Sequence, residues 1–174
     1  MPVDSIRIHY GEAYGGSCWG AQDCLGDATL WDGGGTVSVG LGGAIFTPMY
    51  GLRGEVDISV DGQGNVALQV TGGAGGYLGL GVSNVGPSLT ITDAPTVDSL
   101  TGVSAQFGGG VLLEGLGVGA EKVYGKSHQY EGYSLNGGIS AGIPGEGHAT
   151  VTGTGTIGQF NIFEAIIQFV NWFE

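Results

Sequence analysis

Glycine and single apolar residues alternate with period two along most of this chain. That pattern limits the fold more than any other feature. Thirty-nine of the 174 residues are glycine, against an average usage of about 7%. No Gly-X-Y period runs through them and 41% of the residues are hydrophobic, so the chain is not collagen-like. Glycines placed inside strands let one backbone approach another layer closely. The pattern predicts an all-β domain: an antiparallel barrel or sandwich of eight to ten strands, closed by a C-terminal α-helix.

The alternation starts at Thr36, where Val37, Val39 and Leu41 share one strand face. Val56, Ile58 and Val60 share another, with Asp57 and Ser59 opposite. The DGQGN stretch at 61–65 then leads to Val66, Leu68 and Val70, so residues 56–70 predict a hairpin. Leu78, Leu80 and Val82 read as one strand, and Leu89 and Ile91 as a short strand after a Gly86-Pro87 turn. The non-alternating segment 92–102 reads as a crossing loop. Strands are expected again at 103–107, 111–124, 130–143 and 149–160, with turns at 108–110, 125–128 and 144–147. Thr150, Thr152, Thr154 and Thr156 form a polar ladder that suits a solvent-facing side.

Three regions follow: an irregular segment at 1–35, the glycine-rich β-domain at 36–160 and an apolar helix at 161–174. Asn161, with glutamate three residues later, is a capping signal. The helix has a narrow polar stripe of Glu164, Gln168 and Asn171. Its apolar residues Ile162, Ile166, Phe169 and Phe173 form an interface. Strands with glycine on one face (Gly79, Gly81; Gly115, Gly117, Gly119; Gly153, Gly155) offer room for this helix. The expectation is that it packs there or plugs the barrel, the alternative that it docks on a partner or a membrane. In the first region, Trp19 and Trp31 are expected to cap an open end of the core. Cys18 and Cys24 are a disulfide candidate around Trp19, which would contribute roughly 2–3 kcal/mol.

Only four residues are basic against 16 acidic ones, a net charge of −12. Nucleic-acid binding, which depends on Lys and Arg contacts to phosphate, is excluded on that ground. The same charge keeps the chain off anionic headgroups. No stretch of 18 apolar residues occurs, so no transmembrane helix is expected. The N-terminus lacks a basic region followed by an apolar run, so no signal peptide is visible. The chain therefore reads as cytoplasmic or as a domain cut from a longer exported protein. Scarce aromatics in the middle strands weigh against an outer-membrane barrel, which carries aromatic girdles.

No catalytic or cofactor motif is present, and no cofactor or metal is expected. The catalytic candidates are His128, Glu131, Glu146 and His148, which flank turns expected to be neighbours. They would form an acid–base or metal cluster if they converged, and are ordinary solvated turn residues if they do not.

At VDISVDGQGNVALQVTGG, TDAPTVDSLTG, AGIPGEGHAT and QFNIFEAI the chain resembles a glycine-rich region near the C-terminal end of bacterial RHS/YD-repeat proteins of the polymorphic-toxin type. The resemblance covers roughly residues 36–166. It implies a module carried on a large secreted or cell-surface chain, where effector or toxin domains sit, with that parent chain or another protein as partner. No catalytic residues come with it. The function expected is thus a non-enzymatic binding or delivery module of a secreted, toxin-like protein. The alternatives are a membrane-active or pore-forming effector, and an enzyme using the His/Glu cluster.

Overall fold

Eight strands close on themselves with every neighbouring pair antiparallel. The computed structural model describes residues 34–79, 81–126, 129–142 and 145–172. The strands are β1 (Thr36–Thr47), β2 (Tyr50–Asp61), β3 (Asn65–Leu78), β4 (Gly81–Thr92), β5 (Gly102–Leu113), β6 (Leu116–Gly125), β7 (Glu131–Gly142) and β8 (Gly145–Asn161). Around the barrel they run β1-β2-β3-β8-β5-β6-β7-β4. Helix α1 (Ile162–Asn171) follows β8. The all-β, antiparallel barrel with a C-terminal helix is therefore the fold, and it is a barrel and not a sandwich. The proposed N-terminal features, with Cys18, Cys24, Trp19 and Trp31, lie outside the described residues, as do His128 and Phe173.

The predicted hairpin forms, with Val60 opposite Val66. The crossing segment also forms: a 3-10 turn, Val97–Leu100, carries the chain from β4 over one mouth to β5. Other boundaries differ. Residues 78–82 are not one strand, because β3 ends at Leu78 and β4 starts at Gly81. Gly86-Pro87 is no turn but the middle of β4. Pro87 pairs with Leu41 of β1 and has no partner in the β7 ladder, beside the irregular part of β4 where a residue without an N–H is tolerated. Residues 108–110 continue β5. The strand read at 111–124 is instead divided by the turn at Glu114-Gly115, where both residues have positive φ (51° and 87°).

The polarity is the reverse of a water-soluble barrel's. Alternate residues point into the lumen or away from it, and here the polar set points in. Ser38, Glu55, Asp57, Ser59, Gln69, Thr71, Ser104, Gln106, Glu121, Ser134, Thr150 and Thr152 are buried. Their strand neighbours Val39, Leu41, Val56, Ile58, Leu68, Val70, Val103, Leu135 and Val151 are exposed. The faces were thus read correctly, but the threonine ladder predicted to face solvent lines the lumen. Thr152 bonds Ser104 at 2.6 Å and Thr154 bonds Thr71 at 2.8 Å. Lumenal glycines make room for these side chains. A Cβ at Gly117 would collide with Ser140 and Asn84, and one at Gly119 with Asn136.

Candidate functional site: a charged lumen inside an apolar shell

Two mouths and a polar middle make up the interior. At the mouth shared by the strand ends at Thr36, Asp61 and Thr92, the crossing segment seals the barrel. Val97 and Ala94 are wholly buried there, and Ala94, Leu100, Val123 and Tyr130 form an apolar cluster. Burial pushes the Tyr130 phenol above its ordinary pKa. The buried Asp61 carboxylate holds the segment, accepting from the Val97 N–H at 3.0 Å and from the Gln63 and Asn65 N–H groups at 3.0 Å each. Gln69 donates to the Val97 carbonyl at 3.0 Å, and Thr36 to that of Ala94 at 2.9 Å. At the far mouth, where the short turns lie, Phe46, Tyr77 and His148 stack with centroids 5.0 and 5.1 Å apart.

Between the mouths sits a charged cluster. Arg53 of β2 donates to Glu121 of β6, and to Glu55 at 3.4 Å. Glu121 also accepts from Asn136 at 2.8 Å and lies 3.4 Å from His148 Nε2. Glu146 lies 3.8 Å from His148 Nδ1. Asn84 joins this group through an irregularity in β4. There φ is 48°, and both β4 ladders shift register nearby. Its N–H donates to Ser140 at 2.7 Å, and its amide to Asn136 at 2.5 Å.

Of the sequence candidates, Glu146 and His148 meet in the lumen, with side chains only 9% and 4% exposed. They are not solvated turn residues. Glu131 is not with them: it sits outside, at the opposite end of the barrel, 3.1 Å from Lys122. The separation arises because β8 begins before Gly147, so the expected turn at 144–147 supplies lumenal residues. Among the described residues no group of three His, Cys, Asp or Glu side chains is arranged to hold a metal ion. Two cavities beside the cluster, lined in part by Asn84, Glu146, His148 and Arg53, have about 20 Å³ each. That admits a water but not a substrate. The chemistry available is charge pairing, of Arg53 with Glu121 and Glu55.

Sequence reasoning missed Arg53, Glu55, Glu121, Asn84, Asn136 and Tyr77. A signal for the first pair was present: Arg53, Glu55, Asp57, Ser59 and Asp61 alternate with Leu52, Val56, Ile58 and Val60. Four ionisable residues on one strand face need either water or one another.

The outer wall is apolar over the strands' length. Among the described residues, its strand positions carry charge only at Lys122 and Glu131, which pair with each other. Lys122 also lies over the Tyr124 and Tyr133 rings at 4.9 and 5.7 Å. Helix α1 does not fill the glycine faces. Gly153 and Gly155 face outward with nothing within 4 Å, and Gly117 and Gly119 face the lumen. Ile162 is half-buried, whereas Ile166 and Phe169 are 44% and 61% exposed. Only Phe163 is buried, against Gly64 of the β2–β3 turn. No helix among the described residues is long and apolar enough to cross a membrane, which says nothing about strands. No family model, no curated protein and no solved structure matches the chain.

Proposed function

We propose that this chain is a membrane-embedded β-barrel module of an exported protein, a lipid-inserted body and not an open channel. The observation that carries this reading is the inverted polarity: ion pairs and hydroxyl ladders inside, Val, Leu, Ile and Phe outside. In water this arrangement exposes the groups that gain most from leaving it, on the order of 1.5–3 kcal/mol for each large apolar side chain. In a bilayer every strand hydrogen bond is already made within the closed barrel, so no edge faces lipid. The dimensions agree. A strand of about 12 residues at ~3.3 Å per residue, tilted by ~40°, spans about 30 Å. That is the thickness of the hydrocarbon core.

Eight strands leave an interior just wide enough for side chains, and here the lumen is crossed by charge pairs and covered by the crossing segment at one mouth. Steady conductance is therefore not expected. The resemblance to the RHS/YD-repeat region supports carriage on an exported chain, which a barrel lodged in a bilayer would fix to its target.

The experiment is folding of the full chain in the presence of phosphatidylcholine vesicles. The expected result is co-flotation with lipid, resistance to alkaline extraction, and faster electrophoretic migration when unheated than when boiled. Recovery as a monodisperse monomer in the aqueous fraction, unchanged by vesicles, would overturn the reading.

A further inference from the structure

We infer that helix α1 is an interfacial anchor, lying in the headgroup boundary of a zwitterionic bilayer at the sealed mouth of the barrel. The inference rests on the membrane reading above and adds a second, separate contact with lipid.

The first turn of the helix is held in place. The Asn161 side chain accepts from the Phe163 and Glu164 N–H groups at 2.9 and 3.2 Å, and donates to the Gln63 carbonyl and to Asn65 Oδ1 at 3.1 and 2.9 Å. The Ile162 N–H donates to the Gly64 carbonyl at 2.9 Å, and Phe163 covers Gly64 so closely that a Cβ there would meet its ring at 2.6 Å. Beyond that turn the helix is exposed along its apolar face. Ile166 and Val170 are 44% and 37% exposed, and Trp172 at its end is 79% exposed. Glu164, Gln168 and Asn171 occupy the other side. A surface of this kind, fixed in direction and open to its surroundings, is built to meet something apolar.

Three observations identify the occupant as the bilayer boundary. Ten residues at ~1.5 Å each give a helix of about 15 Å, half the hydrocarbon thickness, so it does not cross. The apolar wall is continuous with it, through the exposed Ile157 and Phe160 of β8 directly before Asn161. The same end of the barrel bears Lys122 with Tyr124 and Tyr133, the amphipathic combination that sits at a membrane–water interface. The described helix has no basic residue and carries Glu164 in its first turn. Its contact with lipid thus depends on apolar area and not on anionic headgroups.

The test uses the full chain with Trp19→Phe and Trp31→Phe, which leaves Trp172 as the sole tryptophan, in phosphatidylcholine vesicles carrying bromine at shallow or deep acyl positions. The expected result is a blue-shifted Trp172 emission, quenched more by shallow than by deep bromine, and unchanged when a third of the lipid is phosphatidylglycerol. Ile166→Asp should abolish the quenching while the barrel keeps its heat-dependent migration. An inserted barrel with an unquenched, red-shifted Trp172 overturns the anchor and leaves the membrane reading standing. Stronger quenching by deep bromine also overturns it, placing the helix in the hydrocarbon. A barrel that does not associate with vesicles overturns both.

Discussion

Arg53 on β2 reaches across the lumen to Glu121 on β6, the strand diametrically opposite in the ring of eight. The pair is buried, with side chains 9% and 4% exposed. Two walls of the barrel are thereby joined by charge, and Glu55, Asn136 and His148 gather around the junction. Removing Arg53 leaves Glu121 and Glu55 as buried carboxylates without their guanidinium partner. Arg53→Met should destabilise the barrel by about 3–5 kcal/mol, read as a shift in urea midpoint for the protein in micelles. Adding Glu121→Gln should restore part of that loss. Equal midpoints for Arg53→Met and the parent would mean that water reaches the cluster freely.

Asp61 closes the mouth by a different device. Its carboxylate accepts the N–H groups of Val97, Gln63 and Asn65, so a single side chain holds both the crossing segment and the β2–β3 turn. Asp61→Ala orphans those donors, each at about 1–3 kcal/mol if it stays buried. The expected result is a loss near 3 kcal/mol together with accelerated hydrogen exchange at the Val97 amide. Unchanged exchange at Val97 would show that the segment is held by its apolar contacts alone.

Two turns at the far end carry backbone conformations that their residues resist. Met49 follows Pro48 with φ 93°, a position that favours glycine. Glu114 precedes Gly115 with φ 51°, the first centre of a two-residue hairpin turn that favours asparagine. Met49→Gly should raise stability by about 1 kcal/mol, and Glu114→Asn by about 0.5 kcal/mol. Thermal melts in micelles would measure both. A decrease for either would mean that the parent side chain makes contacts worth more than the backbone strain.

The strand pattern was legible because its period is local. Val56, Ile58 and Val60 lie opposite Asp57 and Ser59 whatever surrounds them. Which side faces inward was not legible, because periodicity is unchanged when a barrel is turned inside out. The expectation of an apolar core assigned Thr150 and Thr152 to solvent, whereas the lumen takes them. The same assumption placed α1 on the glycine faces, although Gly117 and Gly119 admit Asn84 and Asn136 instead. Glu146 and His148 were singled out for their residue types. Glu121, the neighbour of His148, and its partner Arg53 lie 68 positions apart in sequence and meet only through the ring order of strands.

The sharpest consequence of the inverted polarity is a dependence on depth. Leu41 lies at the middle of β1 and is 67% exposed. Leu113, at the end of β5 beside the turn, is 72% exposed. In water neither position would notice a lysine by more than about 0.5 kcal/mol. In a bilayer Leu41→Lys places a charge near the hydrocarbon midplane and should cost about 2–4 kcal/mol, whereas Leu113→Lys near the headgroups should cost about 0–1 kcal/mol. Reversible unfolding in phosphatidylcholine vesicles measures both. Equal, small losses at the two sites would mean that the outer wall does not face lipid. A large loss at Leu41 alone would place the apolar wall across the bilayer and locate its centre.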